Sequence, residues 1–413
     1  MTAPRDVVIV GGGPAGTTTA LALAHAVPEH ASRVVVLEKA RYPREKPCAG
    51  ALGARGDVLL AGIGVAIDVP SAPVDGISFL GSRGEAVASP GRIGRVVRRT
   101  EFDHALSRVA ASRGIEVRDG VGALGIHDEG GRAIVQTDGG GIAARVVVGC
   151  DGVGSVVRKS MGLGPGQLRA QVIEVDTEPV AGDRDRALLH FDSTDRRVRG
   201  YTWDFPTMVD GRQLVCRGIY HLKPARDEGQ DAPDLAALLA ERLRAQGVDP
   251  SRCKNKRYAE RGFEPATRLV RGCRMLAGEA AGIDPVTGEG IAQAIEFGVM
   301  AGRFLARQLA VASGGSVSLE GWQGEVEASR LARDLRIRSR LMGLYYGPSR
   351  AEVEGFLAES PDALFVGCQH FAAQPCDWLK VSRVVGRAAA RVASSWIAGA
   401  LAGRKSQDGS RRR

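Results

Sequence analysis

A strand that runs straight into a glycine-rich turn near the start of the chain narrows the folds open to it. Asp6-Val7-Val8-Ile9-Val10 leads into Gly11-Gly12-Gly13-Pro14-Ala15-Gly16, and Thr17 to Thr19 continue into Ala20-Leu21-Ala22-Leu23-Ala24. The apolar run reads as a parallel strand buried on both faces, and the Ala/Leu run as the helix after it. Gly11 permits the tight turn, Gly13 lets backbone approach a pyrophosphate, and Gly16 allows close helix–strand packing. Pro14 and Ala15 open the helix, whose free N–H groups and positive dipole end suit a phosphate. A second strand, Arg33 to Leu37, ends at Glu38 with Lys39 beside it. An acidic side chain at that place accepts hydrogen bonds from a ribose diol. With both strands, the helix and Glu38 in register, dinucleotide binding is the stronger reading over a ligand-free turn.

The chain has 413 residues, 44% apolar and 25% charged, enough for two or three ordinary globular domains. Its seven cysteines are scattered, without a C-x-x-C pair or a histidine at ligand spacing. That pattern reads as reduced thiols of a cytoplasmic protein, with no disulfide framework and no metal site. The first apolar run is a strand, so no signal peptide is expected. No apolar run reaches the roughly 18–20 residues of a membrane-spanning helix. Of the net charge of +9, the segment from Asp377 onward carries +7, with nine basic and two acidic residues. A nucleic-acid enzyme would spread charge over a binding face, so no nucleic-acid partner is expected.

The expected fold class is α/β: a discontinuous Rossmann-like nucleotide domain, an inserted antiparallel substrate domain and a helical C-terminal region. The nucleotide domain takes 1–72, 96–166 and 258–310, and the substrate domain 73–95 and 167–257. The helical region is 311–405, and 406–413 is expected to be a disordered tail. Thr100 is the expected N-cap of a helix through Leu106. Short strands are expected at 114–118, 123–126, 133–137 and 144–149, and one helix from Pro233 to Ala245 on the antiparallel sheet.

Two later segments add chemistry. Val146-Val147-Val148-Gly149-Cys150-Asp151-Gly152 is a buried strand ending in a polar turn. Gly278-Glu279-Ala280-Ala281-Gly282 is a small-residue turn, and Asp284-Pro285-Val286-Thr287-Gly288-Glu289-Gly290-Ile291 starts another helix. Residues this small let backbone approach a flat ligand, and a helix beginning at Gly290 aims its positive end at that ligand.

Together with Arg99-Thr100-Glu101-Phe102-Asp103, these motifs resemble the FAD-dependent oxidoreductases of the para-hydroxybenzoate hydroxylase fold. More narrowly, Tyr42-Pro43-Arg44-Glu45-Lys46-Pro47-Cys48-Ala49-Gly50 and Gly200-Tyr201-Thr202-Trp203-Asp204-Phe205-Pro206 resemble the geranylgeranyl reductase family, as does the Asp284 to Ile291 segment. The resemblance covers about Asp6 to Gly298. It implies FAD, with Glu38 on the adenosine ribose, and Arg99 and the Ala123 backbone near the same end. It places Glu279 at the ribityl–pyrophosphate and Gly290 and Ile291 at the flavin pyrimidine, with Asp151 and Gly288 in the motifs that surround the cofactor. Cys48 and Ala49 would lie beside the flavin ring. Two departures are Glu279 where the family usually has Asp, and Ala49 where it has Gly.

As catalytic candidates the chain offers Cys48, Lys46, Tyr201, Trp203 and Phe205. Cys48 reads equally as a residue tuning the flavin or as a small buried thiol. Lys46 reads more readily as a solvated loop charge than as a charge directed at the flavin. The aromatics at 201, 203 and 205 share one face of a strand and line either a substrate tunnel or the core. His190 and His221 are left without a role. NAD(P)H or another electron donor would dock transiently, since only one full dinucleotide fingerprint exists. Trp378 to Ala402 reads as a helix with Arg383, Arg387 and Arg391 on one face, beside Val385, Val392, Trp396 and Leu401. Packing on the body is favoured over peripheral contact with anionic lipid, because alanine and glycine dilute the apolar face. The sequence is silent on oligomeric state. The leading expectation is reduction of carbon–carbon double bonds in a small apolar, isoprenoid-like substrate. The alternative is oxygenation or halogenation of an aromatic or polyketide-like metabolite. The related halogenases carry W-x-W-x-I-P, and this chain has one Trp fewer and Phe205 for Ile. A flavin-binding protein without turnover is the third and weakest reading.

Overall fold

The computed structural model describes residues 5–184, 187–225, 233–312, 315–375 and 379–394. The strand Arg5–Val10 lies at the centre of an eight-stranded sheet, paired in parallel with Val34–Glu38 on one side and Gly140–Gly149 on the other. Glu116–Asp119 extends the parallel set beyond Glu38, and Arg274–Leu276 extends it beyond Gly149. The antiparallel strands Gly125–Glu129 and Arg132–Thr137 lead into Gly140–Gly149, giving the expected meander and buried strand. Val7, Val8, Ile9, Val34, Val35 and Val36 are wholly buried, which is why these strands read as unbroken β-branched runs.

The helix Pro14–Ala26 packs along the long helix Ile291–Val311. Contact is close because Gly298 and Gly302 face it. A Cβ at either glycine would stand 2.6 or 2.5 Å from the carbonyl oxygens of Ala15 and Thr19. Trp322 is fully buried at the far side of this domain and donates its indole N–H to the Leu276 carbonyl at 3.1 Å.

A seven-stranded sheet stands over the nucleotide domain, in the order Lys256–Arg261, Leu168–Thr177, Arg212–Pro224, Gly200–Val209, Leu188–Asp192, Gly76–Gly81, Gly84–Ala88. All its pairings are antiparallel except that of Leu188–Asp192 with Gly76–Gly81. The helix Leu235–Ala245, capped by Asp234, buries Leu239 and Leu243 against Ile173, Val175 and Ile219 on one face of this sheet. The other face looks toward the nucleotide domain. A small sheet of Ala51–Gly53, Gly94–Val97 and Ser71–Val74 joins the two parts.

The helices Arg330–Tyr345, Arg350–Ala358 and Pro361–Phe371 close over the space between the domains. Arg350 ties them to the sheet by donating to the carbonyls of Ser193, Val198 and Gly200. Residues 379–394 are helical, and Arg391 pairs with Glu352 and Glu359. That residue is therefore tied to the neighbouring helix, while Arg383 and Arg387 are exposed. Trp378, Trp396, Leu401 and the expected tail 406–413 lie outside the described residues. One local expectation is corrected: the helix after Val97 begins at Arg99, with Arg98 and not Thr100 at its N-cap. Arg99 pairs with Asp103 one turn on, at 2.7 Å for each of two bonds, which holds that first turn without a hydroxyl cap.

Candidate active site

The turn after Arg5–Val10 is shaped by steric exclusion. Gly11 has φ +106°, and a Cβ there would lie 2.3 Å from the Cys150 carbonyl oxygen. A Cβ at Gly16 would lie 1.9 Å from the Gly11 carbonyl oxygen, so the helix enters close to the strand. Gly13 differs. A Cβ there would meet only the Nη2 atoms of Arg99 at 3.5 Å and Arg44 at 3.8 Å. Gly13 is also the N-cap of Pro14–Ala26, which has no side-chain cap, so its first-turn N–H groups are left for a ligand. A glycine cradle, an uncapped helix end and two guanidiniums converge on one spot, and that donor set fits the pyrophosphate of FAD.

Glu38 is buried beside it, accepting from the backbone N–H groups of Gly12 and Ala40 at 3.1 Å each. Lys39 and Ala123 belong to this same end, with Lys39 Cβ 3.4 Å from a Cβ built on Gly122. Arg99 faces Gly13 and pairs with Asp103. Arg44 bridges Glu38 at 3.3 Å and the wholly buried Asp103 at 2.9 Å. Asp151 accepts from Ser155 Oγ and the N–H groups of Val156 and Val157, holding the turn into the helix Val156–Ser160. Glu279 accepts the Arg261 N–H at 3.2 Å and stands over Gly152. Burial pushes its carboxyl up, with Lys46 opposing.

Between the domains lies a chamber of about 310 Å3. Its floor is the inner face of the seven-stranded sheet, where the register sets Tyr201 opposite Tyr220, Trp203 opposite Gly218 and Phe205 opposite Cys216. The predicted aromatic trio is thus brought together and lines the chamber. Tyr201 stacks on Tyr220 at 5.2 Å, and Phe191 meets Tyr201 and Phe205 edge-on at 5.1 Å each. Trp203 is almost wholly buried with its indole against Gly218, where a Cβ would be 2.2 Å from its ring. Trp203 thus both lines the chamber and packs in the core.

The far wall is the loop 284–290, which delivers Gly290 as N-cap of the helix at Ile291, again without a side-chain cap. Tyr220, Tyr346 and Tyr201 donate their hydroxyls to three successive carbonyls of this loop, Pro285, Val286 and Thr287. Arg338, from the helix Arg330–Tyr345, pairs with the buried Asp284 and with Glu289 at 3.4 Å. The loop that would face the flavin is therefore gripped from both the sheet and the C-terminal helices.

Cys48 and Ala49 line the chamber at its domain-facing side with Gly288, Gly290 and Ile291. The Cys48 N–H donates at 3.0 Å to Glu174, whose other oxygen accepts from Tyr258 at 3.2 Å. Burial pushes the Cys48 thiol up, with Arg99 opposing, so it is a neutral thiol and no activated nucleophile. Lys46 sits over the Tyr258 ring at 5.4 Å. It is not merely a solvated charge, since its field reaches Glu260 and Glu279. His190 is buried at 2.9 Å from Ser78 Oγ, and His221 accepts the Arg199 N–H at 3.1 Å; neither lines the chamber. Among the described residues no group of His, Cys, Asp and Glu has metal-site geometry, and the cysteines are free.

Arg44, Glu174, Tyr220, Tyr258, Glu260, Arg338 and Tyr346 carry no role that the sequence alone makes visible. The period-two placement of Tyr258 and Glu260, and of Glu174 with Val172, was the available signal for the sheet residues.

Comparison with known proteins bears on the cofactor. A family described as an FAD binding domain matches residues 5–318. The chain belongs to that family. The menaquinone reductase of Mycolicibacterium smegmatis is 27% identical over 419 residues, covering 95% of this chain and 98% of that protein. The digeranylgeranylglycerophospholipid reductase of Methanothrix thermoacetophila is 28% identical, covering 76% of this chain and 80% of that protein. The rifampicin monooxygenase of Streptomyces venezuelae is 29% identical, over 78% of this chain and 66% of that protein. Among solved structures, a geranylgeranyl bacteriochlorophyll reductase-like protein from Thermoplasma acidophilum superposes with a TM-score of 0.65 at 18% identity, over 95% of this chain and 98% of that one. The flavin-dependent brominase Bmp2 gives 0.67 at 17% identity, over 89% and 93%. At those identities the likeness is one of fold. The protein is thus an FAD-dependent oxidoreductase of the expected α/β class, related to reductases and to monooxygenases. Among the described residues no helix is long and apolar enough to cross a membrane.

Proposed function

We infer that this flavoprotein reduces carbon–carbon double bonds of a small apolar, isoprenoid-like substrate. The observation that carries this reading is the chamber: an aromatic floor facing the loop 284–290 and covered by helices, so that an apolar chain would lie among apolar and aromatic side chains. In this reading Gly11 to Gly16, Glu38, Lys39, Arg99 and Ala123 hold the nucleotide half of FAD. Asp151 and Glu279 flank its polyol, and Gly288, Gly290 and Ile291 support the ring with Cys48 and Ala49 opposite. Bound FAD supplies hydride chemistry once reduced. Tyr201, Trp203 and Phe205 orient the substrate, and the uncapped N-terminus at Gly290 favours negative charge developing at the ring. The electron donor, NAD(P)H or another carrier, docks transiently. The helix bearing Arg383 and Arg387 offers a peripheral contact with an anionic membrane, which would suit a lipid-borne substrate.

The similarity to a rifampicin monooxygenase favours oxygen chemistry as the second reading. The names of two relatives as reductases of a quinone and of a prenyl lipid favour the first. Anaerobic mixing of the photoreduced protein with geranylgeraniol, followed by mass spectrometry, tests it. A product heavier by two hydrogens is expected. Reduced protein that leaves every prenyl double bond intact, yet consumes oxygen with a metabolite bound, would replace it with the second.

A further inference from the structure

Glu260 lies on the edge strand Lys256–Arg261 opposite Ala170, two residues from Tyr258, so both side chains share the inner face and line the chamber. Its Oε2 is shut off from solvent and has no hydrogen-bond partner. It is aimed at the loop 284–290: a Cβ at Gly288, which has φ +66°, would stand 2.7 Å from that oxygen. A buried carboxyl oxygen without a partner is destabilising, and native structures rarely leave one unused.

We propose that Glu260 donates the proton in the double-bond reduction inferred above, a step that rests on that reading. One alkene carbon takes a hydride from reduced FAD and the other takes the proton from Glu260. The π bond breaks, two C–H bonds form, FAD returns to its oxidised state, and Glu260 is left as a carboxylate that regains its proton from solvent.

Elimination supports the choice. Among the chamber's described acids, Glu289 is paired with Arg338 and Glu354 with Arg196 and Arg350. Glu174 lies behind the wall with both oxygens engaged. His370 is pushed down to about 3, first by burial and then by Arg338, so the imidazolium that would serve as an acid is disfavoured at neutral pH. The chamber tyrosines and Cys48 are pushed up and become weaker acids. Burial raises Glu260 well above the ordinary glutamate range; Glu279, Asp284 and Glu174 push the same way, and Lys46 opposes them. The acid thus holds its proton until substrate needs it, and Lys46 stabilises the carboxylate that each turnover leaves.

The test compares wild type with Glu260→Gln, both as holoproteins with matching flavin spectra. The wild-type-minus-variant infrared difference spectrum at neutral pH should show the carbonyl stretch of a protonated carboxylic acid. In anaerobic single turnover with geranylgeraniol, the variant should oxidise its reduced flavin slower by about 10²–10⁴-fold. Its rate of flavin reduction by dithionite should be unchanged. Missing acid absorption, or a variant within a few-fold of wild type, overturns the assignment while leaving the reductase reading in place. Wild type that shows the acid band but never reduces the prenyl probe overturns the reading, and the proton-donor role with it. If Glu260→Gln fails to retain flavin, Glu260→Asp takes its place. It should keep the acid band and recover part of the rate, and failure to recover any overturns the assignment.

Discussion

Gly218→Ala is a one-methyl change that tests how tightly the chamber floor is built. A Cβ at 218 would stand 2.2 Å from Cζ2 and 2.4 Å from Cη2 of Trp203, and 2.7 Å from the Ile173 carbonyl oxygen. Carbon atoms rest about 3.5–4.0 Å apart, so the indole must retreat by roughly 1.5 Å. Neither backbone can yield, because Gly218 is paired with Trp203 on one side and Glu174 on the other in the sheet centre. The indole therefore moves up into the chamber, toward the substrate. Overpacking of this kind costs about 1–3 kcal/mol, and the melting temperature should fall by a few degrees. The chamber should also lose volume, so kcat/KM for geranylgeraniol should fall more steeply than for the shorter geraniol. Calorimetry and a chain-length series read the two effects. A variant with unchanged melting temperature and unchanged length preference would refute the placement of Trp203 as the chamber floor.

Other perturbations probe separate parts of the account. Glu38→Ala should weaken FAD binding by about tenfold or more, equivalent to about 1.4 kcal/mol, as read by flavin fluorescence; unaltered retention would remove Glu38 from the cofactor site. Arg338→Met leaves Asp284 and Glu289 buried without their cation, which should destabilise the fold by about 3–5 kcal/mol, measured by denaturant unfolding. A loss under 1 kcal/mol would show that the loop 284–290 does not depend on this pair. Glu260 also predicts a pH dependence. Its folded-state acidity is weakened, so the folded protein binds more protons than the unfolded one, and this carboxyl's contribution to stability falls as pH rises above the ordinary glutamate value of 4.5. The stability of Glu260→Gln relative to wild type should therefore increase from that pH upward, and a difference independent of pH would contradict the burial of an acid there.

The nucleotide half of the site was legible because its signals are local. The strand, the turn at Gly11 to Gly16 and Glu38 lie within one βαβ unit, where neighbouring residues fix one another's geometry. The aromatic trio was legible as a face for the same reason, since period two along a strand needs no knowledge of its partners. What those rings meet depends on register between distant strands. Tyr220 reaches Tyr201 through one pairing and Tyr258 reaches Glu174 through another, and no spacing in the sequence encodes either. The roof was hidden more deeply. Arg338 and Tyr346 lie beyond the last recognisable motif, on helices whose polar residues look solvated until the loop 284–290 is placed beneath them. Thr100 misled because a hydroxyl before an apolar run suggests a cap, whereas the Arg99–Asp103 pair starts the helix one residue earlier.

Whether an alkene oxidises reduced flavin in this chamber is read by stopped-flow absorbance. Reduced protein is mixed anaerobically with geranylgeraniol, and in parallel with oxygenated buffer. The account predicts return of the oxidised flavin spectrum with the alkene alone, and featureless reoxidation by oxygen. A reduced spectrum that persists in the presence of the alkene, with a spectrally distinct phase before oxidised flavin returns in oxygen, would contradict it.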